Sequence, residues 1–311
     1  METKLITGPS WLHERIEREE IIILDGATGT ELQRRGVLMH DIAWSGIAVS
    51  EHGDVVRSVH EDYIRAGADV IITNTFAGAR HLLEPAGFGD NVEIINRGAV
   101  EIARQARENA ADHPVAIAGS MSDFMASQDP DKWLRPSTLR ATYREQADIL
   151  AEAGVDLIAL EMMQKPEVAA PAVEAAVATG LPVWIGCSCQ RIPNESRLAL
   201  HDYPDRDFSE LLDTVVGMGG AVMTVMHSDV TDTNSGLAMV RERWSGPLGA
   251  YPNSGYFVMP NWQFVDIISP EDLVTEAKRW IAQGLQLIGG CCGIGPAHIA
   301  LLKQQLPSRL R

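Results

Sequence analysis

Two adjacent cysteines near the end of the chain form the most informative chemical pattern in the sequence. Cys291 and Cys292 follow a Gly-Gly pair in the segment IGGCCGIGPAHI. Adjacent Cα atoms lie about 3.8 Å apart, below the roughly 4.4–6.8 Å that a disulfide spans, so these thiols are unsuited to bond with each other. Thiolates are good zinc ligands, and a catalytic zinc takes about three protein ligands. The pair therefore predicts two ligands of a zinc site. The alternatives are a pair of redox thiols, a phosphate-binding glycine loop and a packing of small buried residues.

Polar residues at the ends of other apolar runs are further candidates for a site. Asp25 and Gly26 stand in LDGATGTEL, and Glu161 directly follows the apolar run DLIAL. A carboxylate buried at such a place is costly unless a cation pairs with it, so we expect Glu161 to bind a substrate ammonium group. The alternatives are a Glu161 that caps the next helix or pairs with Lys165, and an LDGATGTEL segment that forms an ordinary capped turn. The remaining candidates of this kind are Thr73, Asn74 and Asn253.

Short apolar runs alternate with longer amphipathic segments, which is typical of strand–helix units around a parallel sheet. Eight runs predict strands, beginning near Ile21, Asp69, Val115, Asp156, Pro182, Ala221, Pro247 and Gln286. Helices are predicted over residues 54–65, 92–109, 137–153, 166–179, 208–216 and 270–282, several of them ending in a glycine turn. Eight such units predict an α/β fold, a single-domain (β/α)8 TIM barrel, for which about 250 residues is typical. The alternative is a doubly wound open sheet with an added domain.

A TIM barrel places its catalytic groups at the C-terminal ends of the strands. The candidate residues all follow predicted strands, so the barrel would bring them to one end. Three segments of little periodicity, residues 36–54, 120–136 and 252–269, are predicted to be long loops over that end.

Length and charge exclude several classes of protein. The 311 residues are predicted to form one barrel domain over 1–311, with 1–18 as a leading segment. They carry 26 Lys and Arg against 42 Asp and Glu, a net charge of −16. This balance argues against nucleic acid as a partner, because phosphate contacts need clustered Lys and Arg. The absence of a signal-like apolar run and of about 18 consecutive apolar residues predicts a cytoplasmic protein without a membrane partner. The sequence leaves a homo-oligomer open.

Five segments of the chain resemble, in the same order, the zinc-dependent homocysteine S-methyltransferases. This family includes betaine–homocysteine and S-methylmethionine–homocysteine methyltransferases. The segments are LDGATGTELQRRG, VHEDYIRAGADVIITNTF, AGVDLIALE, YPNSG and GGCCGIGPAHI, and they extend over nearly the whole chain. GGCCG with YPNSG is specific in combination. The family is a TIM barrel, which agrees with the strand count.

The resemblance implies an enzyme with a Zn2+ cofactor and two small-molecule partners, homocysteine and a methyl donor. The zinc would be held by Cys291, Cys292 and a third cysteine, and the homocysteine amino group would lie near Glu161 and Asp25. A methyl group would pass from a small onium donor, of the S-methylmethionine or betaine type, to the homocysteine thiolate and give methionine. The alternatives are a divergent member with a different thiol acceptor or methyl donor, and a barrel with a lost or altered zinc site that binds an amino acid without this catalysis.

The chain departs from the family at the third zinc ligand. Its sixth strand reads AVMTVMHSDV, with Met226 at the place of the cysteine and His227 next. Imidazole binds zinc well, so His227 is a candidate, but adjacent strand residues point to opposite faces and a local bulge would be needed. The alternatives are Cys187 or Cys189 on the fifth strand, and loss or weakening of the zinc site.

Overall fold

The computed structural model describes residues 8–125, 134–195 and 197–310. The helices are α1 (Ser10–Glu17), α2 (Thr28–Arg34), α3 (Ala48–Glu51), α4 (Gly53–Arg65), α5 (Arg80–Leu83), α6 (Val92–Ala110), α7 (Pro136–Ala153), α8 (Pro166–Val177), α9 (Phe208–Val215), α10 (Val230–Arg241), α11 (Pro270–Ile281) and α12 (Pro296–Gln305). The strands are β1 (Ile22–Ile23), β2 (Val70–Ile72), β3 (Ala116–Ser122), β4 (Leu157–Met163), β5 (Val183–Cys187), β6 (Cys189–Arg191), β7 (Leu198–Leu200), β8 (Tyr203–Asp207), β9 (Val222–Asp229), β10 (Leu248–Asn253), β11 (Tyr256–Val258), β12 (Asn261–Gln263) and β13 (Leu287–Ile288).

Eight parallel strands form a closed barrel. Their order is β1-β13-β10-β9-β5-β4-β3-β2, and a parallel bridge between Leu24 and Val70 joins the two ends of the series. All eight predicted strands are present, and the six predicted helices match α4, α6, α7, α8, α9 and α11 to within about two residues at each end. The predicted (β/α)8 barrel is therefore confirmed, and the open-sheet alternative is wrong.

Two excursions from the barrel carry strands that the sequence pattern did not predict. After β5 the chain forms an antiparallel three-stranded sheet of β6, β7 and β8, here called the insert sheet. The predicted loop 252–269 contains a second excursion, the antiparallel hairpin β11–β12, here called the mouth hairpin. The predicted loop 36–54 contains α3, and residues 126–133 of the predicted loop 120–136 lie outside the described residues.

Apolar side chains fill both faces of the barrel wall. Leu24, Val70, Trp184 and Met226 belong to the cluster inside the barrel, which Leu12 of α1 also joins. A larger cluster packs between the strands and the surrounding helices. No helix in the described part of the chain is both long and apolar enough to cross a membrane.

A buried histidine in α4 makes the stability of the fold depend on pH. His60 is fully buried, neither ring nitrogen has a hydrogen-bond partner among the described residues, and burial lowers its pKa from 6.5 to about 4. Between about pH 4 and pH 6.5, His60 therefore binds a proton in the unfolded chain but stays neutral in the folded chain. Stability contributed by neutral His60 is present above pH 6.5 and is lost as the pH falls toward 4.

We expect His60→Leu to reduce the loss of stability at acid pH. Between pH 7 and pH 5 the unfolding free energy of the variant should fall by about 2 kcal/mol less than that of the parent protein. Urea unfolding at the two pH values measures this difference. His13→Leu, at a half-exposed position in α1, serves as the control, since its side chain is 40% exposed. An equal loss in the His60 variant and the parent would contradict the prediction.

Candidate functional site

A cavity of about 1150 Å³ opens at the C-terminal ends of the barrel strands. The strand ends form its floor, and the insert sheet and the mouth hairpin contribute its outer walls. The predicted residues that line it are Gly26, Thr73, Asn74, Glu161, His227, Asn253, Cys291 and Cys292. Asp25 is fully buried and is not itself part of the cavity wall. The barrel thus brings nearly all the predicted site residues to one place.

His227, Cys291 and Cys292 form a cluster with the composition of a metal site. Their ligand atoms lie within 4.8 Å of one another, with 3.6 Å from Cys291 Sγ to His227 Nδ1 and 4.0 Å between the two Sγ atoms. A tetrahedral zinc, with bonds of about 2.0–2.3 Å, separates such atoms by roughly 3.5–3.8 Å. The cluster therefore fits a metal ion with two sulfur ligands and one nitrogen ligand.

A bulge in β9 turns His227 toward the thiols. Met226 pairs with Tyr251 and Asp229 with Asn253, so β9 has one more residue than β10 over this stretch. His227 lies within this bulge and has a left-handed backbone conformation, at φ +46°. A bulge of this kind leaves one extra residue unpaired, bends the strand locally and can re-aim a side chain. This is the local irregularity that a histidine ligand needs at this position.

Backbone contacts hold the two cysteines beneath the cavity. The Cys291 N–H donates to the Pro252 carbonyl at 2.8 Å, and the Ser254 N–H donates to the Cys292 carbonyl at 2.9 Å. Gly293 follows at φ +86°, and a Cβ atom there would lie 2.0 Å from the Ser254 carbonyl oxygen, so only glycine fits. The YPNSG and GGCCG segments therefore form one structural unit.

The cluster favours a thiolate at Cys291. Contact with Cys292, and then the imidazole of His227, lower the pKa of Cys291 well below its ordinary value, although burial opposes the shift. The same contact raises the pKa of Cys292. The thiolate is the form of cysteine that binds metal, so the lowered pKa favours Cys291 as a metal ligand.

Glu161 lies on a second bulge, at the end of β4. Leu160 pairs with Ile185 and Met163 with Cys187, so β4 has one extra residue, and Met162 adopts φ +55°. The carboxylate accepts a hydrogen bond from the Ser120 hydroxyl, and burial raises its pKa to about 8. A cation in the cavity would stabilise the ionised form.

The alternative interpretations of Glu161 are wrong. Lys165 pairs with Asp123 instead, at 3.4 Å, and both side chains are buried. Glu161 is part of β4 and does not precede α8 as its cap, a position that Lys165 holds.

Asp25 and Asn74 have mainly structural contacts. Asp25 Oδ2 accepts the Ile72 N–H at 2.8 Å, while Oδ1 is buried without a partner among the described residues. The Asn74 amide is bound on both sides by Ser45, through the Ser45 hydroxyl at 3.0 Å and its carbonyl at 2.8 Å. Asp25 Oδ1 is therefore a buried acceptor that no described group satisfies, whereas both polar atoms of the Asn74 amide are satisfied.

Comparison with known proteins decides the family. The family model described as homocysteine S-methyltransferase matches residues 22–306. The homocysteine S-methyltransferase of Escherichia coli K12 is 30% identical over 319 aligned residues, covering 94% of this chain and 97% of that protein. The chain belongs to the homocysteine S-methyltransferase family. Its predicted membership and its assignment as an enzyme are confirmed.

Other relatives of this methyltransferase agree with the assignment. The selenocysteine methyltransferase of Astragalus bisulcatus is 28% identical, covering 89% of this chain and 90% of that protein. The betaine–homocysteine S-methyltransferase 1 of Pongo abelii is 27% identical, covering 94% of this chain and 74% of that protein. The crystal structure of the homocysteine methyltransferase MmuM from Escherichia coli in its metallated form has a TM-score of 0.76 and 26% identity, covering 95% of this chain and 99% of that one.

The other two cysteines of the methyltransferase lie outside the cluster. Cys187 and Cys189 are fully buried, and among the described residues only His227 joins Cys291 and Cys292. Burial raises the pKa of Cys189 to about 12, and its sulfur accepts the Ser228 hydroxyl at 3.6 Å. The geometry thus favours His227 over Cys187 and Cys189 as the third ligand.

An aromatic row, which the sequence pattern did not predict, lies along the cavity wall. Successive ring centroids lie between 5.9 and 6.4 Å apart, and the row ends at the metal cluster. Its members, in order, are Phe124, Phe76, Trp44, Phe257, Trp262 and His227. The signal in the sequence that could have indicated this row is the presence of Trp and Phe residues in the predicted loops 36–54, 120–136 and 252–269. His201, in the turn between β7 and β8 of the insert sheet, was also not predicted as a site residue. Its ring centroid lies 4.8 Å from that of His227.

Proposed function

We propose that this protein transfers a methyl group from a small onium donor to homocysteine, giving methionine, with Zn2+ as its metal. The observation that carries the proposal is the cluster of His227, Cys291 and Cys292 on the cavity floor. Two thiolates and an imidazole suit zinc in both softness and geometry. The relatives named as homocysteine methyltransferases support the choice of thiol.

The residues of the floor have distinct roles in this proposal. His227, Cys291 and Cys292 would hold zinc, and Glu161 would pair with the homocysteine ammonium group, with Asp25 beneath it. Bound zinc would supply the positive charge that keeps a thiol, with a free pKa of about 8.5, deprotonated near neutral pH. Gly26, Thr73, Asn74 and Asn253 line the same floor and would contact the substrate.

The aromatic row supports an onium donor. Aromatic faces attract ligand cations, and quaternary ammonium or sulfonium groups fit between them. In the transfer step the homocysteine sulfur forms a bond to the methyl carbon while the bond from that carbon to the donor nitrogen or sulfur breaks. The electron pair of the broken bond stays on the donor, which leaves uncharged at that atom. The walls contribute by holding the two reactants in line.

We further propose that the protein acts in the cytoplasm. All four cysteines are free, and thiolate ligands need a compartment that keeps thiols reduced.

The proposal is tested by metal analysis and by methyl transfer. Protein purified without added zinc should contain about one zinc per chain. Incubated with homocysteine and either S-methylmethionine or a betaine, it should form methionine, while the same mixture with chelator-treated protein should not. Each donor without homocysteine is the control for donor breakdown. Zinc-free protein under all conditions, or no methionine from either donor, would overturn the proposal.

A further inference from the structure

Met226 connects two strands that are not neighbours in the barrel. It is buried in the barrel interior, and its Sδ atom accepts the backbone N–H of Met162 at 2.9 Å. Met226 belongs to β9 and Met162 to β4, and β5 lies between these two strands in the sheet. The contact therefore reaches across a whole strand.

A glycine in the intervening strand makes this reach possible. A Cβ atom on Gly186 of β5 would lie 2.7 Å from Met226 Cγ and 2.7 Å from the Leu160 carbonyl oxygen. Any side chain at position 186 would thus displace the methionine from its path. The unbranched, flexible side chain of methionine suits such a narrow passage.

The contact joins the two bulges that present the site residues. Met162 follows Glu161, and Met226 precedes His227. Each bulge contains one residue with left-handed backbone, Met162 at φ +55° in β4 and His227 at φ +46° in β9. Such conformations persist in residues other than glycine only where the surroundings hold them. The Met226 carbonyl provides a second hold, because it accepts the hydroxyls of Ser188 at 2.8 Å and Ser228 at 3.1 Å.

We propose that Met226 is a positioning residue that locks the Glu161 bulge to the His227 bulge. The thioether accepts the N–H that the β4 bulge leaves without a strand partner, and this fixes the distance between the amino-group site and the metal cluster. Met226 thus occupies the place of the expected cysteine as a support for the histidine beside it. This inference rests on the proposed function, since it assigns both bulges to one substrate.

The test distinguishes the effect of losing the hydrogen-bond acceptor from the effect of changing the volume of the side chain. Met226→Leu keeps most of the volume and removes the acceptor, whereas Met226→Gln restores an acceptor oxygen at similar reach. Met223→Leu is the matched control, because Met223 is equally buried on β9 but packs on the outer face of the barrel. Each variant is titrated with Co2+ in competition with a chelator, and the thiolate-to-cobalt absorption band reports how much metal is bound. The metal-loaded protein is then titrated with homocysteine to measure its affinity for that ligand. Thermal unfolding shows that each variant is folded.

We expect Met226→Leu to weaken Co2+ and homocysteine binding by about 10-fold or more, in the range of groups that orient metal ligands. Met226→Gln should recover a large part of both, and Met223→Leu should match the parent. A folded Met226→Leu protein with parental affinities, or equal losses in the leucine and glutamine variants, would overturn the inference. Failure of the parent itself to bind metal would instead overturn the proposed function.

Discussion

Replacing His227 with alanine is expected to remove most of the bound metal and, with it, methyl transfer. The imidazole is one of three ligand atoms in the cluster, 3.6 Å from Cys291 Sγ, and no other candidate ligand in the described part of the chain takes its place. Metal affinity should fall by more than about 100-fold, since loss of a direct ligand exceeds the effect of losing a group that only orients one. Competition with a chelator and metal analysis after dialysis measure this loss.

The two buried cysteines provide matched controls for this variant. Cys187→Ala and Cys189→Ala each remove a buried thiol that is not part of the cluster, and both should keep parental metal content. Cys291→Ser is the positive reference and should lose metal at least as fully as His227→Ala. Equal metal content in the His227, Cys187 and Cys189 variants would reject the histidine as a ligand.

Much of the fold was predictable because its signals are local. The eight strands are runs of apolar and β-branched residues, and several of the helices before them end in glycine turns. Gly154, for example, ends α7 with a left-handed backbone at φ +88°. Local signals of this kind do not depend on where the rest of the chain lies, so the sequence alone reveals them.

The orientation of His227 was not predictable, because non-local contacts decide it. Strand alternation alone would turn this side chain away from the face that Met226 occupies. The bulge that reverses this direction depends on pairing with β10 and on a contact with Met162, 64 positions earlier in the sequence. The residues of β9 alone contain no signal that predicts these contacts. The aromatic row was hidden for the same reason, since its members come from separate mouth segments.

The insert sheet shows a second limit of sequence reasoning. Its strands are short, and none of the five residues of β8 is buried, so no alternation of apolar residues marks β8 as part of a sheet. Yet it positions His201 beside His227 and contributes Tyr203 to the cavity wall. Short edge strands that are held by the barrel beneath them lack the burial pattern on which strand prediction depends.

Glu161→Gln is expected to weaken homocysteine binding by about 30-fold or more while leaving the metal in place. Glutamine keeps the size of the side chain and can still accept the Ser120 hydrogen bond, so the main change is the loss of negative charge. Burial raises the pKa of Glu161 to about 8, which means that ionisation at neutral pH needs a nearby cation. The homocysteine ammonium group provides one, and the pair should contribute about 2 kcal/mol to binding. Isothermal titration of metal-loaded protein measures the affinity.

A ligand that lacks the amino group shows whether the carboxylate and the ammonium group act as a pair. 4-Sulfanylbutanoic acid keeps the thiol and carboxylate of homocysteine but has no ammonium group. If Glu161 binds that group, the parent should prefer homocysteine strongly, and the glutamine variant should lose most of the preference. Glu167→Gln, at an exposed position of α8 paired with Arg206, should leave the preference unchanged. An equal preference in parent and Glu161 variant would mean that the ammonium group binds elsewhere, and the buried, unpartnered oxygen of Asp25 would then be the next acceptor to replace.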